Sequence, residues 1–103
     1  MDPTHQRRVL SPEEAELVRR FRNGGCVRRP SEERCDIDGV LYKKGWEIRF
    51  RVHKGESAAD IVRAALAVGL RPGSPYAKGA GWVVPVYGRE VVEWFEALLR
   101  RTR

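Results

Sequence analysis

The run WEIRFRVHK, residues 46–54, constrains this chain more than any other stretch. Trp46, Ile48, Phe50 and Val52 alternate with Glu47, Arg49, Arg51 and His53. A period of two marks a strand buried on one face only. The apolar set must be covered by other elements. The polar set, with two arginines and a histidine, faces away, and on this reading neither arginine supports the core. Such a strand belongs to an antiparallel sheet, which can leave one face to water.

The elements that would cover it are legible on both sides. In SPEEAELVRRFRNGG, Ser11 is a cap, Pro12 fits the first turn and Glu14 completes a capping box. Leu17, Val18 and Phe21 form an apolar stripe, and Arg19, Arg20 and Arg22 lie near the negative C-terminal end. Gly24 or Gly25 stops the helix. A short strand is expected at Cys26–Arg28, limited by Pro30. GESAADIVRAALAVGLRPG predicts a second helix, with Ser57 as cap, Asp60 at the capping-box position and Gly69 as terminator. SPYAKGAGWVVPVYGR predicts a hairpin turning at KGAG, and Pro85 suggests that its second arm is an edge strand or is broken there. REVVEWFEALLRRTR closes the chain as an amphipathic helix, with Val91, Val92, Phe95, Leu98 and Leu99 inward.

The order is α-β-β-α-β-β-α. Helices on one face of a mostly antiparallel four-stranded sheet make an α+β domain. At 103 residues there is room for one domain, expected over 11–103. Residues 1–10 are read as a flexible basic arm carrying Arg7 and Arg8. No apolar run approaches the roughly 20 residues of a membrane span, and the N-terminus has no signal-peptide core, so a cytoplasmic protein is expected.

Charge narrows the partners. Twenty Lys and Arg against fourteen Asp and Glu give a formal net charge of +6, and Arg outnumbers Lys sixteen to four. A small basic chain is drawn to nucleic acids, anionic lipids or acidic proteins. Arg suits bidentate contacts to phosphate and guanine, although a GC-rich genome produces the same bias. Cys26 and Cys35 are not at zinc-ligand spacing, and His5 and His53 add no finger pattern. Both cysteines are read as reduced and partly buried, with a disulfide left open. No metal and no cofactor is expected.

One motif points elsewhere. CDIDGVLYKKG, residues 35–45, resembles the first motif of the haloacid dehalogenase phosphatases, which implies Asp36 as nucleophile, Asp38 as acid/base and a bridging Mg²⁺. The supporting parts are missing. SEERC before Asp36 is no buried parallel strand, and Asp60 is the only Asp after Asp38. The match is read as coincidence, with Asp38-Gly39 a turn. No catalytic residue is assigned. A Mg²⁺-dependent phosphatase or nuclease stays a remote alternative.

A longer pattern resembles one half of a LAGLIDADG homing endonuclease. LVRRFRNGGCV, Leu17–Val27, falls in the place of the signature helix, with Leu17 and Phe21 at apolar positions and Gly25 at the closing glycine. WVVPVYGREVVEWFEAL resembles the last strand and helix, and the pattern spans about 85 residues. The resemblance implies the same α-β-β-α-β-β-α fold, with the open sheet face on the DNA major groove. The metal-binding acid of the family would fall at Gly24, so cleavage is expected to be lost. Arg19 and Arg20 replace the small residues of the family's helix seam, which leaves a homodimer open.

The residues alone lead to the same surface. Arg49 and Arg51 leave one strand face about 6.6 Å apart. Lys43 and Lys44 precede the strand, and Arg28, Arg29 and Lys78 join from its neighbours. His53 ends the polar series, and Tyr87, out of phase with Val86, is free to stack on a base. These nine residues are the candidate nucleic-acid site. Duplex DNA is favoured over RNA. The alternative is a regulator or inhibitor that binds an acidic protein through an exposed Trp94 or Tyr87.

Overall fold

The computed structural model describes residues 9–30 and 45–102. Its elements are α1 (Pro12–Arg22), β1 (Cys26–Arg28), β2 (Glu47–Val52), α2 (Ala58–Ala67), β3 (Tyr76–Lys78), β4 (Gly81–Tyr87) and α3 (Arg89–Arg101). The four strands form one antiparallel sheet in the order β1-β2-β4-β3. The expected α+β class and element order are both observed. None of the described helices is long and apolar enough to cross a membrane.

The alternation in β2 decides how the layers meet. Ile48, Phe50 and Val52 lie opposite Val86, Val84 and Trp82 of β4, so these side chains share one face. On that face Ile48, Phe50, Val84 and Val86 join Leu17 and Val18 of α1, Ile61, Ala64 and Ala65 of α2, and Val92, Phe95 and Leu98 of α3 in one buried cluster. At its centre three rings from three elements meet edge to face. The centroids of Phe21 and Phe50 are 6.2 Å apart, those of Phe21 and Phe95 5.1 Å, and those of Phe50 and Phe95 5.4 Å. Each such pair adds about 0.5–1.5 kcal/mol to the area it buries.

Local signals explain the ends of the elements. Ser11 and Glu14 form the expected capping box: the Glu14 N–H donates to Ser11 Oγ at 3.0 Å, and the Ser11 N–H to Glu14 Oε1 at 2.9 Å. Ser57 occupies the N-cap of α2 but makes no side-chain cap bond, contrary to expectation. Asp60 is turned instead toward Arg63 and Arg20. Arg22 serves a different helix from its own, donating to Thr102 Oγ1 at 2.8 Å at the C-terminal end of α3. The β3–β4 turn has Gly79 at φ +59 and no positive φ at Ala80, as a type II′ hairpin requires.

Pro85 corrects an expectation. β4 is an interior strand, paired with β2 on one side and β3 on the other. The Pro85 carbonyl accepts from the Gly73 N–H at 2.8 Å, so its backbone polar groups point toward the β3 side. The β3 pairing begins only at Tyr76, opposite Val83. The missing N–H of Pro85 therefore faces a stretch where the β3 ladder has ended, and no ladder bond is lost.

Candidate nucleic-acid interface

The odd-numbered residues of β2 and their partners make up the second face of the sheet. By register it carries Cys26 and Arg28 from β1, Glu47, Arg49 and Arg51 from β2, Val83, Pro85 and Tyr87 from β4, and Tyr76 and Lys78 from β3. The described helices all pack on the opposite face. Among the described residues this surface holds four cations, Arg28, Arg49, Arg51 and Lys78, against one carboxylate, Glu47.

The cations are held in two ways. Arg28 and Lys78 are exposed at opposite outer strands. Arg49 and Arg51 lie down on the sheet. Arg49 Nε is 3.1 Å from Glu47 Oε1, and its side chain is 21% exposed. Arg51 runs across the strands: a methyl group on Gly24 would sit 3.4 Å from its Cγ, and one on Gly79 would sit 3.4 Å from its Nη2. Beneath these stems Val83 and Pro85 are buried, although no helix covers them. Long charged side chains bury their methylenes on apolar surface in this way. The expectation that neither arginine supports packing is therefore corrected. Arg49 and Arg51 stand directly across from the buried Pro85 and Val83 on this face and are themselves half-buried.

Glu47 is the least expected residue here. It is 4% exposed on the face that lacks a helical layer. Register places it between Arg28 and Tyr87. The Tyr76 hydroxyl donates to its Oε2 at 3.5 Å, beside the Arg49 pair on Oε1. Burial, and then the charge of Glu47, push the Tyr76 phenol up, which keeps it a donor. A Glu two residues before an Arg on one strand is the sequence signal that identifies the pair, since i and i+2 share a face.

The remaining candidates are distributed as follows. Arg29 does not join the face. It pairs with Glu96 of α3, and its guanidinium lies 5.4 Å from the Trp46 ring. Arg89 lies 5.6 Å from the same ring, so the half-buried Trp46 is held by two cations on the helix side. Glu96 raises the Arg29 pKa, chiefly through their hydrogen bond. His53 is exposed at the end of β2, with Nε2 2.5 Å from the Asn23 carbonyl. Tyr87 is on the face and 39% exposed. Cys26 is exposed, not partly buried. Trp94 is half-buried against the core, 6.2 Å from Phe95. Lys43, Lys44, Cys35, Asp36, Asp38, Arg7 and Arg8 lie outside the described residues. Among the described residues no group of three or more His, Cys, Asp or Glu is placed to hold a metal ion.

The helical side carries mixed charge, with acids and arginines interspersed along the three helices. A groove of about 290 Å³ between α1 and α2 is lined by Pro12, Glu13, Glu16, Asp60, Arg63, Ala64 and Ala67. Comparison with known protein families, with characterised proteins and with solved structures finds no match for this chain.

Proposed function

We propose that this protein binds nucleic acid without cutting it, by laying the helix-free face of its sheet on duplex DNA. The observation that carries this is the charge of that face, four cations to one carboxylate among the described residues. A cationic face of this kind attracts a phosphate backbone.

The dimensions support duplex. Three strand spacings separate β1 from β3, about 14 Å in all. A B-form major groove is about 12 Å wide. Arg28 is level with Tyr87 and Lys78 with Gly81, six residues or about 20 Å along β4, so the two outer cations stand at diagonally opposite corners of the face, with Arg49 and Arg51 on β2 between them. The observed element order is also the one that the LAGLIDADG resemblance implies, and Gly24 stands where that family has its metal-binding acid.

The test uses Arg28→Ala/Lys78→Ala, because both side chains are exposed and neither covers Val83 or Pro85. The parent should bind duplex DNA with an affinity that falls steeply with salt. The double variant should keep its melting temperature and lose roughly 1.8 from the salt slope, about 0.9 for each phosphate contact. A parent that ignores duplex DNA, or a variant with an unchanged slope, would overturn the reading. Failure of unlabelled duplex to displace an acidic protein would favour the protein-partner alternative.

A further inference from the structure

We propose that Glu47 is a positioning residue that fixes Arg49 to read a guanine in the major groove. This rests on the proposed function and gives it a specificity element.

A carboxylate that is 4% exposed on a helix-free sheet face needs a reason. Burying it costs free energy, and its partners there are Arg49 and Tyr76. A phosphate-binding surface gains nothing from it, since it subtracts a negative charge. What it supplies is orientation. The contact is to Nε, the inner nitrogen of the guanidinium, at 3.1 Å. Nε is sealed from solvent. Burial alone would lower the Arg49 pKa, but the charge of Glu47 and the contact with it raise it, so the carboxylate holds the guanidinium in its charged form. The contact with Glu47 is made at Nε, and the Arg49 side chain keeps 21% of its surface exposed. On this proposal the outer edge of the guanidinium, Nη1 and Nη2, supplies the two donors offered to a base.

That edge matches one base. Guanine alone offers two acceptors side by side in the major groove, O6 and N7, and Arg meets them bidentately. Holding the fork in advance lowers the entropy lost when it binds. Arg28 and Lys78, exposed on the outer strands, are suited to sequence-independent phosphate contacts. Arg49 is the inner, fixed cation of the set.

The test selects binding sites from a pool of duplexes with a randomised segment, using the full chain. The parent should enrich guanine at one position. Its preference there is then measured as the ratio of affinities for the guanine duplex and the same duplex with adenine, so that a general loss of binding cancels. Glu47→Gln, which removes the charge and keeps the shape, should lower that ratio by about tenfold. Arg49→Lys, which keeps the charge but not the fork, should lower it likewise and covers the case in which Glu47→Gln does not fold. A parent that does not bind duplex refutes the proposed function. A parent that binds without enriching guanine, or a ratio that survives in a folded variant, refutes this inference and leaves DNA binding standing.

Discussion

Arg20 of α1 reaches Asp60 of α2, with Nη2 3.6 Å from Oδ2, and this contact ties the two helices together above the sheet. The same guanidinium holds Glu16 at 2.9 Å and lies 3.9 Å from Glu56, and the residue is only 7% exposed. Its carboxylate partners are far better hydrated than Arg20 itself, so they regain water if it is removed. The loss is then smaller than for a fully buried pair, which costs 3–5 kcal/mol when broken. Arg20→Ala should destabilise by about 1–2 kcal/mol in urea titration. Arg20→Met, which keeps the buried stem, should lose less. Equal losses would show that charge, not packing, holds the helices.

Acid should weaken the same region. Hydrogen bonding to Arg19 first, and to Arg20 as well, holds the Glu16 carboxyl below the ordinary carboxylate range, against the opposing effect of burial. A carboxyl whose pKa is lower folded than unfolded stabilises the fold above its unfolded pKa. That contribution fades as pH falls through the folded value. Melting temperature should therefore decline below about pH 4, and part of the decline should vanish in Glu16→Gln. An identical acid profile in the variant would remove Glu16 from the account.

Much of the architecture was legible because it follows from periods and caps. The alternation of Ile48, Phe50 and Val52 fixed the core face, and Ser11 with Glu14 fixed the start of α1. The interior position of β4 was not legible, because strand order depends on pairings between distant segments. A Pro reads as an edge residue until the length of β3 is known. The site was half legible. Alternation placed Arg49 and Arg51 on the right face, but not their postures. Arg29 lies one residue past its strand, where period two no longer governs direction, and it turned to Glu96 and Trp46. The burial of Glu47 is not legible, because a lone acid among basic residues reads as surface. Its neighbours there include Tyr76 and Tyr87, which join it only through tertiary pairing.

Posture changes what arginine substitutions do. Arg49→Ala would leave Glu47 buried without its cation, and Arg51→Ala would uncover Val83 and Pro85. The double substitution should cost about 2 kcal/mol, since the face is partly hydrated and the full buried-charge penalty does not apply. For a domain of this size that lowers the melting temperature by roughly 8–16 °C. Adding Glu47→Gln to Arg49→Ala should recover part of the loss. An unchanged melting temperature in the double variant would mean that these stems do not seal the face.

Two glycines flank β2 and set how closely its neighbours approach. A Cβ on Gly81 would lie 2.1 Å from the Val52 carbonyl oxygen and 3.2 Å from the Val52 carbonyl carbon. A Cβ on Gly25 would lie 2.5 Å from the Arg49 carbonyl oxygen and 2.9 Å from both Phe21 Cδ1 and the Phe21 carbonyl oxygen. These obstacles are mostly backbone, which cannot rotate aside as a side chain can. Gly81→Ala must push β4 from β2 and disturb the register under Arg51, and Gly25→Ala must push the start of β1 from the same strand. Each should cost about 3 kcal/mol, the upper part of the range for overpacking. Gly55 supplies the control. It has φ +89 and open space around it, so Gly55→Ala meets only the left-handed backbone penalty of about 1–2 kcal/mol. Thermal unfolding of the three variants should rank Gly55→Ala as the mildest. If Gly81→Ala were as mild, the close approach of β4 to β2 would be wrong, and with it the placement of Arg51 across the sheet.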